Sequence, residues 1–121
     1  MLFRSCREGE AWAVAAGLYL GGCQPLVIIQ STGLFESGDA LRNVLFDLGM
    51  PLWAIIGYRG YLVEGSTDTA RHFAEPILKA WGLDYHLVAP PCQGLEPLVA
   101  HLQTCRTANR PGVLLLAEGK G

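Results

Sequence analysis

Three short apolar runs, each followed within a few residues by glycine, constrain this chain more than anything else in it. They are Pro25–Ile29, Leu52–Ile56 and Val113–Ala117. Runs this short cannot span a bilayer. Runs without apolar–polar alternation do not suit a sheet with one wet face; they read as strands of a parallel sheet, buried on both sides. Asp84–Val88 reads as a fourth strand.

Helical patterns fall between the strands. Glu8–Leu20 reads as a helix ended by Gly21-Gly22. Glu36–Leu48 reads as a second, with Leu41, Val44, Leu45 and Leu48 on one side, broken by Gly49-Met50-Pro51. Thr69–Trp81 reads as a third, stopped by Gly82; Pro76 inside it implies a kink or a late start. Leu95–Cys105 is a fourth, with Pro97 in its first turn. Gln30-Ser31-Thr32-Gly33 and Gly57-Tyr58-Arg59-Gly60 read as turns, and Tyr61–Asp68 as a loop. The alternation predicts a three-layer α/β/α architecture, with helices on both faces of a mostly parallel sheet. The 121 residues suit a single domain over 1–121.

Charge and cysteines narrow the function classes. The net charge is −2 and no Lys/Arg cluster occurs, which argues against nucleic-acid binding. No membrane span and no signal peptide are read, so the expected location is cytoplasmic. Cys6, Cys23, Cys92 and Cys105 form no Cys-x-x-Cys pair and no zinc spacing, and read as free thiols in a reducing compartment. No metal site is expected on this chain. Neither Gly-x-Gly-x-x-Gly nor a P-loop is present. Ser31 between strand and helix has the setting of a nucleophile elbow, but Ile29 stands where the first glycine belongs.

Ligands of a parallel sheet gather at the carboxyl ends of its strands. Cys6-Arg7-Glu8, Gln30–Gly33 and Gly57–Gly60 fall there and form one candidate rim. Within the residues alone, Glu8 is either a first-turn acid favoured by the helix dipole or a group aimed at a ligand.

The ordered set Arg7-Glu8-Gly9-Glu10-Ala11, Ala15-Ala16-Gly17-Leu18-Tyr19-Leu20, Ile29-Gln30-Ser31-Thr32-Gly33-Leu34 and Ile56-Gly57-Tyr58-Arg59-Gly60 resembles the pyrimidine-binding domain of thiamine diphosphate enzymes. The branch it resembles is that of the sulfopyruvate decarboxylase alpha subunit and phosphonopyruvate decarboxylase. The tail from Pro111 to Gly121 is similar to that domain's last strand. Two departures stand out. The strand and helix that open the domain in the family precede the glutamate and are missing here, so a chain truncated at its N-terminus is expected. The Gly-Asp-Gly motif and the later asparagine that hold magnesium and diphosphate in the family are also lacking; Gly38-Asp39-Ala40 is not that motif.

The resemblance implies roles for named residues. Glu8 matches the catalytic glutamate, which bonds a ring nitrogen of the cofactor's aminopyrimidine; Glu10, two residues on, faces elsewhere. Gln30, Ser31, Thr32 and Gly33 match a loop lining the cofactor or substrate cleft, or are turn residues satisfying their own backbone. Arg59 would pair with a sulfonate or phosphonate, or clamp a loop or a dimer. His72 stands where relatives have a histidine ahead of a helix, and otherwise reads as a surface histidine. Trp12, Trp53 and Trp81 are expected in the core or at a subunit contact. The implied whole is a 2-oxo acid decarboxylase subunit. It would be inactive alone and would share thiamine diphosphate with a pyrophosphate-binding beta-type chain that holds Mg2+, in a homo- or hetero-oligomer. The rival reading is a non-catalytic α/β interaction module. Bare apolar surface is expected near Cys6, Val27 and the Glu8–Leu20 helix.

Overall fold

The computed structural model describes residues 1–92 and 94–119. Its elements are α1 (Glu8–Leu20), β1 (Leu26–Gln30), α2 (Ser31–Glu36), α3 (Gly38–Arg42), a π-helical segment (Asn43–Asp47), β2 (Trp53–Tyr58), α4 (Ala70–Ala80), β3 (Asp84–Val88), α5 (Glu96–Thr107) and β4 (Gly112–Ala117). The four strands form one all-parallel sheet in the order β1-β2-β4-β3. None of the described helices is long and apolar enough to cross a membrane.

Alternate residues of each strand point to opposite faces, and the two faces are covered unequally. Val27, Ile29, Ala54, Ile56, Val113 and Leu115 share a core cluster with Trp12 and Ala16 of α1, Leu34 of α2, Leu41 of α3 and Leu78 of α4. Helices α1 to α4 therefore close this face. On the other face α5 packs over β4 and β3. Its Leu102 and Cys105 come so near Gly112 that a Cβ there would lie 3.1 Å from each. Toward β1 this second face is open, with Ile28 66% exposed and Leu26 44%, and near the carboxyl end of β4 Leu116 is 41% exposed. The strands thus read as buried on both sides, but β1 is an edge strand whose outer face is bare. Val27 itself is buried; its neighbours Leu26 and Ile28 carry the exposed surface, with Val14 and Leu20 of α1. At the amino end of this face Arg106 lies over the Trp53 ring, 3.9 Å from its centroid, and bonds the Gln24 side chain and the Pro51 carbonyl. Burial lowers the Arg106 guanidinium below its ordinary pKa.

The second helix differs most from its expected form. It starts at Ser31, directly after β1, where a turn was expected, and it is broken into three pieces. Ser37 sits at the first break. Its hydroxyl donates to the Gly33 carbonyl at 2.6 Å and accepts from Trp12 Nε1 at 3.0 Å. Such back-bonding by serine bends helices. The second break is the π-helical segment, where Leu48 N–H reaches the Asn43 carbonyl five residues back. The extra residue per turn shifts the register, so Leu48, expected on the apolar side, is 61% exposed. By contrast α1 and β3 have the bounds read from sequence. Helix α4 continues through Pro76. Strand β2 runs on through Gly57 and Tyr58, which were expected in a turn.

Candidate functional site

The connections leaving β1 and β2 pass to α2 and α4 on the closed face, while β3 leads to α5 on the other. In a parallel sheet, helices leaving to opposite sides open a crevice at the carboxyl ends of the strands. The rim residues stand at the start of α1, at the carboxyl end of β1 with the start of α2, and just past the carboxyl end of β4.

Glu8 is the first residue of α1 and half-buried. Its side chain lies against Gly33 so closely that a Cβ there would be 2.8 Å from Cδ and 2.9 Å from Oε1. Gly33 therefore serves as a floor that only glycine supplies. Glu10 is exposed and accepts a hydrogen bond from Ser5 Oγ at 3.1 Å. The two acids of this first turn have separate environments, as the helical spacing requires.

Gln30 ends β1 and is half-buried; Thr32 is exposed, and its hydroxyl donates to Gln30 Oε1 at 3.1 Å. Ser31 is fully buried, and its Oγ has no hydrogen-bond partner among the described residues. It therefore does not face the open rim. An unpaired buried hydroxyl costs about 1–3 kcal/mol.

Arg59 and His72 are not drawn into this group. Arg59 pairs with Asp68 at 2.5 Å. Asp68 is held below the usual carboxylate range first by the hydrogen bond from the Ala70 N–H, with the Arg59 guanidinium adding to it. His72 is exposed on the first turn of α4, its own N–H bonded to the Thr69 carbonyl. Trp12 is buried in the core, while Trp53 and Trp81 are half-buried.

Glu118 joins this candidate rim, and the sequence reading missed it. It follows β4 directly, and its Oε2 accepts from Gln30 Nε2 at 3.1 Å. A signal was available: a carboxylate standing just past an apolar parallel strand, where ligands gather.

Glu8, Gln30, Thr32, Gly33 and Glu118 make a candidate rim rich in acceptors at the carboxyl end of the sheet. No group of three or more His, Cys, Asp or Glu suited to a metal occurs among the described residues. No protein-family model matches the chain. Over 85 residues, 68% of this chain, it is 33% identical to the sulfopyruvate decarboxylase of Methanosarcina acetivorans. It is 36% identical over 48% of its length to sulfopyruvate decarboxylase subunit alpha of Methanococcus maripaludis. It is 38% identical over 54% of its length to the phosphonopyruvate decarboxylase of Streptomyces viridochromogenes. This chain is a homologue of part of the sulfopyruvate and phosphonopyruvate decarboxylases. The matched stretch spans 22%, 35% and 16% of those three proteins.

Proposed function

We propose that this chain supplies the pyrimidine-binding side of a thiamine diphosphate-dependent 2-oxo acid decarboxylase of the sulfopyruvate or phosphonopyruvate kind. A second, pyrophosphate-binding chain would complete the site and hold the diphosphate through magnesium. The observation that carries the reading is Glu8, a half-buried carboxylate seated over Gly33 at the carboxyl end of a parallel sheet. Its homology to decarboxylases supports the reaction class, and the relatives named as alpha subunits support a two-chain arrangement.

The residues present fit an aminopyrimidine. Its edge offers ring nitrogens and an amino group, and the rim offers carboxylate and amide oxygens to meet them. Glu8 would share a proton with a ring nitrogen, and the low-dielectric surroundings of a closed interface would favour that sharing. Gln30 and Thr32 would orient the ring. When bound, the cofactor supplies an electron sink for the carbanion that loss of carbon dioxide leaves. Arg59 is committed to Asp68 and is given no substrate role here. A non-catalytic interaction module is the second reading, favoured by the bare surface of Leu26 and Ile28.

The test is Glu8→Gln in the complex reconstituted with the pyrophosphate-binding chain. Loss of a positioned acid–base group should slow hydrogen–deuterium exchange at the cofactor's reactive carbon by about 10²–10⁴-fold. Glu10→Gln should leave that exchange close to the wild-type rate. Equal, small effects of the two substitutions would favour the non-catalytic reading.

A further inference from the structure

Gly57 and Glu118 fit one another in a way that the proposed function does not use. Gly57 is buried near the end of β2, and a Cβ there would collide with Glu118 Oε1. Only glycine leaves room for this carboxylate. The backbone of Glu118 is also fixed on both sides: its N–H donates to the Tyr58 carbonyl at 3.1 Å, and its own carbonyl accepts from Leu62 N–H at 3.0 Å. The side chain is thus delivered across β2 to β1, where Oε2 meets Gln30 Nε2.

An amide side chain has two near-isosteric orientations, distinguished only by its partners. A carboxylate accepts and cannot donate, so an ionised Glu118 admits only the Nε2 end of Gln30. Oε1 is then forced to the opposite side, where Thr32 Oγ1 donates to it. Threonine alone could not choose, because a hydroxyl serves either end of an amide. The choice is made by Glu118.

We propose that Glu118 is a positioning residue: seated in the hollow at Gly57, it fixes the amide orientation of Gln30. With Oε1 turned toward Thr32, Gln30 keeps one lone pair there for an incoming N–H donor and rejects an anion at that point. The ligand class is therefore an amino-substituted heterocycle, which rests on the proposed function, whereas the orientation of Gln30 does not.

The experiment uses the full chain, with the Gln30 side-chain amide followed by nitrogen–proton NMR. In the wild type one resonance pair is expected, one of its protons exchanging slowly. Glu118→Gln keeps the shape but presents both donor and acceptor, and it should let both Gln30 orientations populate with little change in the thermal melt. Resonances in Glu118→Gln that superimpose on the wild type would overturn the proposal. A second arm measures thiamine diphosphate–magnesium binding to the reconstituted complex by calorimetry, where Glu118→Gln should weaken binding about 10-fold. Wild-type affinity in that variant would overturn the ligand class. No binding by the wild-type complex would count against the proposed function, and the NMR result would still decide the role of Glu118.

Discussion

Ile28 and Ile29 are neighbours in β1 and chemically identical, yet Ile29 is 9% exposed and Ile28 66%. One points to the face that α1 to α4 close, the other to the face that α5 reaches only in part. The difference teaches that hydrophobicity along a strand reports what the strand can bury, not what it does bury. The helices on the closed face interlock through their own side chains as well as through the sheet, whereas among the described residues no helix covers Leu26 and Ile28. Stability should therefore be concentrated on one side of the sheet.

The strongest way to break this comparison is Leu115→Ala. Leu115 is fully buried on the closed face. Its truncation should cost about 2–5 kcal/mol in a urea melt, the usual range for a buried leucine. A loss below about 1 kcal/mol would mean that this side is not the tight one.

A finer probe is the cluster around Glu75 that ties α4 to the sheet. Tyr85 OH donates to Glu75 Oε1 at 2.7 Å, and Tyr58 OH donates to Oε2 at 3.2 Å. Burial, with the Glu75 charge beside it, pushes both phenols from 10.0 up to about 12. The folded state thus holds these protons more tightly than the unfolded chain does. Their contribution should be intact below pH 10 and lost as the pH rises to about 12. Phenolate absorbance and denaturant midpoints followed over that window check the sign. Tyr85→Phe should cost about 1 kcal/mol at neutral pH and shrink the alkaline loss.

The smallest effect is expected on the open face. Ile28→Ser should change the melt by no more than about 0.5 kcal/mol, as exposed positions generally do. It should also reduce light scattering at high concentration, because a bare apolar edge strand invites association. A destabilisation comparable to that of Leu115→Ala would show that Ile28 is covered in solution.

Legibility from sequence followed how local the determining forces are. Helix α1 and strand β3 had the bounds read from sequence because Gly21-Gly22 stops the one, and Gly82 and Pro90-Pro91 bracket the other. The Glu36–Leu48 helix was misread because its breaks depend on contacts made elsewhere. Ser37 bends the chain with the help of Trp12, 25 residues away, and the π-helical register has no pattern of its own. Within the rim, the Glu8 and Gln30–Gly33 segments could be grouped from sequence because both fall at the carboxyl ends of parallel strands, but the seating of Glu8 against Gly33 is visible only in the structure. The pairing of Gln30 with Glu118 spans 88 residues, and only the strand order brings them together. Arg59 read equally as an oxyanion partner or as a clamp on a loop or dimer, because nothing in the sequence marks Asp68, at the end of the 61–68 loop, as its partner.

Trp12 makes the closed face observable by light. Its indole is 1% exposed and its Nε1 is tethered to Ser37, at the junction of α2 and α3. It also stands four residues after Glu8 on α1, so one fluorophore reports on the two helices that carry Glu8 and Gly33. Of the other two indoles, Trp53 lies beneath a guanidinium and Trp81 is half-buried. An emission shift at the blue end of the spectrum would therefore register the spacing of α1 and α2, making the chain its own optical gauge of whether the rim has changed shape.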